Sequence, residues 1–179
     1  MSESLCYNFR IRYYNYKPVP VTLPRYPLRI NVGFLLHQPI GTSHDFAFEY
    51  PAVQLSPDFE LTQFNGTAHI SRTPQGLLVE ADFSGNLLLE CVRCLDEYHQ
   101  SISVNFAELF SFRYRRDAES ELFVPEDGHI DLAQLARDYL LLEQPIKPIC
   151  RPECKGLCSY CGVNLNETVC EHQTQPVEE

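Results

Sequence analysis

The chain has 179 residues, enough for one ordinary domain with a small satellite, and its 44% hydrophobic and 12% aromatic content is that of a globular protein. Its net charge of −10 excludes a surface attractive to nucleic acid over its whole extent, because phosphate binding rests on concentrated positive charge. No apolar run approaches the ~20 residues that span a bilayer, and the opening "MSESLCYNFRIRYYNYKPVP" lacks the apolar core and cleavage site of a secretory signal.

A cytoplasmic protein is expected, with no membrane partner, and in that compartment thiols stay reduced. The Asn-x-Thr triplets at Asn65 and Asn166 are then chance matches. Charge is unevenly placed: residues 1–29 hold five Lys/Arg against Glu3, net +4, while the remainder holds 9 Lys/Arg against 23 acids, net −14. The acidic body suits a basic partner, such as a ribosomal protein.

Residues 1–28 alternate Tyr, Arg and Pro, and Pro18, Pro20, Pro24 and Pro27 forbid a helix, so an extended basic and aromatic arm is expected. Its Arg10, Arg12, Lys17 and Arg25 are candidate phosphate contacts, with Tyr rings as stacking faces. From residue 29, short segments alternate: "LRINVGFLL", "HDFAFEY", "FELTQFNGTAHIS", "GLLVEADFS", "NLLLEC" and "YHQSISVNFAELFSF". Turn signals at 39–41, "TPQG" at 73–76 and "SGN" at 84–86 separate them. The period of two predicts an α+β fold whose mainly antiparallel sheet is curved or partly closed into a barrel.

Residues 113–129 read as a charged loop, with a second basic patch at Arg113, Arg115 and Arg116. A helix is expected at about 131–143, because Leu132, Leu135, Ala136, Tyr139 and Leu140 share one face. Asp131 can cap it, Gln134 can answer three residues on, and Pro145 stops it. A β-rich domain at 29–148, a cysteine-rich lobe at 149–172 and a disordered tail at 173–179 complete the expected organisation.

Seven of the eight cysteines fall into close groups: Cys91 and Cys94, Cys150 and Cys154, Cys158 and Cys161, then Cys170 followed by His172. A CxxC turn points two thiolates at one place, as a zinc knuckle needs, and Gly162 after Cys161 supports such a turn. With His172 there are eight donors for two tetrahedral sites. Chain order divides them as Cys91, Cys94, Cys150 and Cys154, then Cys158, Cys161, Cys170 and His172. Three alternatives stay open: a single zinc on Cys154, Cys158, Cys161 and Cys170; disulfides, which conflict with the compartment; and a redox CxxC, which wants a helix N-terminus where "CVRC" lies between strands. Cys6 stands alone.

A thiolate-rich shell is closed, which favours structural over catalytic metal. The sequence also holds no GxSxG, phosphate-cradling glycine loop or HExxH. His37, His44, His69, His99 and His129 are scattered, and the pairs Asp96–Glu97 and Glu126–Asp127 read as solvated loops. A non-enzyme without a small-molecule substrate is expected.

The strings "CVRCLDEY", "IDLAQLARDYLLLEQPIKPIC" and "CKGLCSYCGVNLNETVC", in that order, resemble the signature segments of the bacterial and plastid YceD family, the large ribosomal RNA subunit accumulation proteins. "QPIGTSHDFAFE" resembles that family's N-terminal segment, so the likeness spans about residues 29–172. It implies a role in accumulation or maturation of the large-subunit ribosomal RNA, alone or in a pre-ribosomal particle, and a plastid stroma for plant relatives. Similar members without the final lobe keep a CxxC and a Cys/His-x-x-x-Cys pair, which favours the two-site division. Many relatives end the lobe in Cys-x-Cys where this chain has Cys170-Glu171-His172.

The leading expectation is therefore a zinc-stapled RNA-binding factor, with Lys155 beside the knuckle as a further RNA contact. The alternative is an acidic module that holds a basic ribosomal protein or assembly factor, and a thiol redox protein comes third.

Overall fold

The computed structural model describes residues 25–57, 59–112 and 122–174. Most of the expected arm, with Arg10, Arg12 and Lys17, therefore lies outside the described residues, as do Arg113, Arg115, Arg116 and residues 175–179.

The described chain enters through strand β1 (Arg29–Asn31) and a 3₁₀ turn at Gly33–His37. Four long strands follow: β2 (Ser43–Ser56), β3 (Phe59–Arg72), β4 (Gly76–Glu90) and β5 (Glu97–Ser111). They form one antiparallel meander in chain order. Strand β6 (His129–Asp131) then pairs with β1 as a separate two-stranded ribbon, and helix α1 (Ala133–Leu142) completes the domain. A 3₁₀ turn at Glu171–Thr174 closes the described residues.

Alternation decides which sheet face is dry. On β4, Val79, Ala81 and Phe83 are buried while Glu80 and Asp82 face solvent. The inner face packs against Leu28, Ile30, Val32 and Leu35 from the entry, Ile130 from β6, Leu132 at the start of α1, and Ala136 and Leu140 from α1, all in one core. Phe83 is its aromatic centre, with ring centroids 5.7 Å from Phe48, 5.5 Å from Phe64 and 5.8 Å from Phe106. Tyr139 of α1 stacks on Phe106 and donates its hydroxyl proton to Glu108 at 2.5 Å.

Four expectations need correcting. The sheet is open: β2 and β5 are its two edges, and α1, in contact with both, covers the inner face that a barrel would bury by closure. "LRINVGFLL" keeps only three strand residues, because Asn31 Oδ1 accepts the Gly33 N–H at 3.0 Å and bends the chain into the 3₁₀ turn. "SGN" at 84–86 is not a turn: it runs through β4 opposite an irregularity in β3 between Thr62 and Asn65. There Gln63 adopts φ 52°, and the extra residue lets Leu61 and Phe64, three apart, both point inward. At the helix start Asp131 Oδ1 accepts the Ala133 N–H at 2.9 Å, but Gln134 donates to Asp138 at 2.8 Å and does not reach back.

The turn expected at 73–76 is present, with Thr73 Oγ1 accepting the Gly76 N–H at 3.1 Å. Among the described residues no helix is long and apolar enough to cross a membrane.

Candidate metal centres

Cys91 follows the last residue of β4 directly, and Cys94 lies in the tight turn that leads to β5. Within that turn the Leu95 N–H donates to the Cys91 carbonyl and the Cys91 N–H to the Asp96 carbonyl, both at 2.9 Å. Leu95 closes the turn with φ 61°. The segment leaving α1 docks against it, the Val92 N–H donating to Pro148 O at 2.9 Å and the Leu157 N–H to Arg93 O at 2.9 Å. Arg93 Nη1 returns a bond to Cys154 O at 3.0 Å. These contacts gather Cys91, Cys94, Cys150 and Cys154, whose sulfurs all lie within 4.8 Å of one another.

The lobe beyond builds the second group locally. Leu157 and Asn164 form an antiparallel bridge, and the Gly162 N–H donates to Cys158 O at 2.9 Å. Gly162 supplies the left-handed backbone, φ 71°, that this knuckle turn requires. Cys158, Cys161, Cys170 and His172 then lie with their donor atoms within 4.8 Å of one another. The His172 ring stacks on the exposed ring of Tyr160, centroids 5.4 Å apart.

The donor sets fit a tetrahedral metal ion. At a zinc–sulfur distance of ~2.3 Å the edge of a tetrahedron is about 3.8 Å. Cys91 and Cys154 sulfurs are 3.8 Å apart, and those of Cys94 and Cys150 are 3.7 Å apart. The described cysteines are all free thiols. Burial acts to raise the Cys91 thiol, but N–H groups of Cys150, Cys94 and Arg93 outweigh it and bring the pKa to about 6. N–H groups of Cys161 and Tyr160 bring Cys158 to about 6 as well. Burial pushes Cys94, Cys150 and Cys170 up. Each group thus pairs a sulfur prepared to bind as thiolate with others that a cation must deprotonate.

The two groups differ in exposure. Cys91, Cys94 and Cys154 are buried and pack with Tyr98 and Ile149 in a small cluster separate from the main core. In the second group Cys161 and His172 are exposed. Of the expected RNA contacts that are described, Arg25 is exposed with its guanidinium 5.6 Å from the Tyr26 ring, before β1. Lys155 is exposed on the lobe, held by its backbone N–H on Asn166 Oδ1 at 2.9 Å.

The sequence marks Asn166 only as a chance Asn-x-Thr match and gives Asn164 no role of its own. Asn166 Nδ2 donates to Cys154 Sγ at 3.4 Å and Asn164 Nδ2 to Asp96 Oδ2 at 2.9 Å. The available signal was a pair of turn-forming Asn residues two apart inside a cysteine-bounded loop.

A family model described as "Large ribosomal RNA subunit accumulation protein YceD" matches residues 79–179, a stretch that contains both donor groups whole. The chain belongs to the YceD family. An uncharacterized protein of Mycobacterium tuberculosis is 30% identical over 152 residues, covering 83% of this chain and 71% of that protein. The Zea mays protein named large ribosomal RNA subunit accumulation protein YCED homolog 1, chloroplastic, is 46% identical over 46 residues, 26% of this chain and 16% of its own length. Bacillus subtilis YlbN, also uncharacterized, is 33% identical over 78 residues, 42% of this chain and 45% of its own. No solved structure matches the chain. In this YceD-family chain the family model begins in β4, so the mycobacterial relative supplies the likeness to most of the earlier sheet.

Proposed function

We propose that this YceD-family chain is a non-enzymatic factor, stapled by two structural zinc ions, that supports accumulation of the large-subunit ribosomal RNA in the cytoplasm by binding that RNA or a pre-ribosomal particle. The observation that carries the reading is the coincidence of the matched family segment with two compact four-donor groups. Four thiolates, or three and an imidazole, leave no open position where a metal would activate water or substrate. A redox role fits less well. The thiol at about 6 in the first group, Cys91, has 0% exposure and so offers no approach to an external thiol or disulfide substrate. RNA contact falls to Arg10, Arg12, Lys17, Arg25, Arg113, Arg115, Arg116 and Lys155.

Two measurements test this. Elemental analysis of protein purified without added metal should give two zinc ions per chain, and none would remove the staple. Binding to large-subunit ribosomal RNA should weaken steeply as salt rises. It should also be lost when Arg113, Arg115 and Arg116 are replaced by Glu together with the basic residues of the arm. Binding that survives both would end the basic-patch reading.

One observation favours a second reading. The outer sheet face carries Asp45, paired there with His69, and Glu49, Glu80 and Asp82, all exposed, and the four long strands hold one Lys or Arg, Arg72. Such a face complements a basic ribosomal protein. Replacing Glu80 and Asp82 by Lys would weaken that partner and spare RNA binding.

A further inference from the structure

The loop that closes the second donor group also supplies a ligand-directed hydrogen bond to the first. Asn166 lies between Cys161 and Cys170, yet its Nδ2 donates to Cys154 Sγ at 3.4 Å, while its Oδ1 accepts the Lys155 N–H at 2.9 Å.

The amide of Asn166 is held in place by its neighbour. Asn164 Oδ1 accepts from Asn166 N at 3.0 Å and from Asn166 Nδ2 at 2.8 Å. Asn164 Nδ2 in turn donates to Asp96 Oδ2 at 2.9 Å, two residues beyond Cys94. Asn164 also pairs with Leu157, whose N–H bonds to Arg93 O inside the CVRC turn. The backbone of this loop is itself set by the knuckle, since the Cys158 N–H donates to Val163 O and the Leu165 N–H to Gly156 O, each at 2.9 Å. The ordered loop of the second group therefore places Asn166 on the first.

We propose that the two metal centres are thermodynamically coupled, with Asn166 as the positioning residue that carries the coupling: an ion on Cys158, Cys161, Cys170 and His172 raises the affinity of Cys91, Cys94, Cys150 and Cys154. By linkage an ion in the first centre favours the second by the same factor. Hydrogen bonds to metal ligands orient them and support their charge, and losing one typically costs about 10–100-fold in affinity. The inference rests on the two-metal reading given above. It adds that the exposed centre and the buried one that joins the sheet to the lobe fill together.

The test is cobalt(II) titration of the metal-free full chain, in which thiolate-to-cobalt absorption counts the sulfurs bound, followed by competition with a chelator. The wild-type chain should take up two ions in one cooperative step. The double change Cys158→Ser and Cys161→Ser removes the second centre and should weaken the first about tenfold or more. Asn166→Asp keeps every ligand and the acceptor for Lys155 N–H but removes the donor to Cys154, and should weaken the first centre by a similar factor. First-centre affinity within about twofold of wild type in Asn166→Asp, or in the double Ser variant, overturns the coupling through Asn166. Two ions bound in independent steps overturn it while leaving the two-metal reading intact. Failure of the wild-type chain to bind cobalt through sulfur overturns both.

Discussion

The sulfurs of Cys91 and Cys154 lie 3.8 Å apart although 63 residues separate them in sequence, and the contact joins the end of β4 to the segment beyond α1. Neither side has a large apolar area there, because the surrounding cluster adds only Cys94 with Tyr98, Ile149 and Cys150 around it. An ion held by this group would thus stabilise the fold by crosslinking distant segments. Cys91→Ser is expected to bind one metal ion fewer per chain and to melt about 10 °C or more below wild type, the scale of a several-kcal/mol loss in a chain of this size. Chelator should lower the wild-type midpoint far more than that of the variant. A variant with wild-type stability and two bound ions would remove the first centre from the account.

Two glycines in the lobe separate backbone strain from collision. Gly156 and Gly162 both have positive φ, 76° and 71°. A Cβ at Gly162 would meet nothing within 4 Å, whereas one at Gly156 would lie 2.9 Å from Arg93 O. Gly162→Ala should therefore cost only the left-handed conformation, about 1–2 kcal/mol. Gly156→Ala adds a clash with the carbonyl that Leu157 N–H uses, and should be the more damaging in both thermal midpoint and metal retention. Equal effects of the two changes would mean that the docking of the lobe on the CVRC turn matters little.

Asp127 ties the β1–β6 ribbon together. Its Oδ1 accepts the His129 N–H at 3.0 Å, and its Oδ2 receives Arg29 Nη2 at 2.8 Å. The His129 N–H, then the charges of His129 and Arg29, hold its carboxyl below the usual carboxylate range against a smaller desolvation effect. A carboxyl depressed in the folded state gives stability that is fully present above its unfolded value of about 4 and is lost as pH falls through the folded value. The midpoint difference between wild type and Asp127→Asn should therefore be small and constant near neutrality, because the pair is exposed. It should vanish at lower pH. A difference that grows with acid would contradict this sign.

Much of this architecture was legible in the sequence, for physical reasons that differ by element. Period two in "GLLVEADF" marks Val79, Ala81 and Phe83 as inward because a strand with one wet face leaves no other arrangement. The helix face at Leu132, Ala136 and Leu140 is equally direct, and all three are buried. Chain order also divides the cysteines into the two groups that the structure gathers. What escaped was tertiary. Gly85 carries a turn signal, but pairing with Ile102 of β5 holds it in β4 opposite the Gln63 irregularity of β3. Gln134 has the composition of a capping partner, yet Asp138 one turn on competes for its amide. Asn164 and Asn166 look like ordinary turn residues until the CVRC turn and Cys154, both distant in sequence, are brought beside them.

The main core and the cysteine groups are separate clusters, which makes their contributions separable by experiment. Phe83 is fully buried among Phe48, Phe64 and Phe106, so truncation removes a ring that three other rings enclose. Phe83→Ala should cost about 3–5 kcal/mol, combining lost burial with the cavity left behind. Phe34, 46% exposed on the 3₁₀ turn, packs edge-on against His44 and leaves no enclosed void when truncated, so Phe34→Ala should cost well under half as much. Denaturant titration of the metal-loaded protein measures both. Because no cysteine of either group belongs to the main core, Phe83→Ala should keep the wild-type metal content while it remains folded. Loss of metal from the still-folded variant would show that the sheet core and the cysteine cluster act as one unit, and the separation of fold from staple would fail.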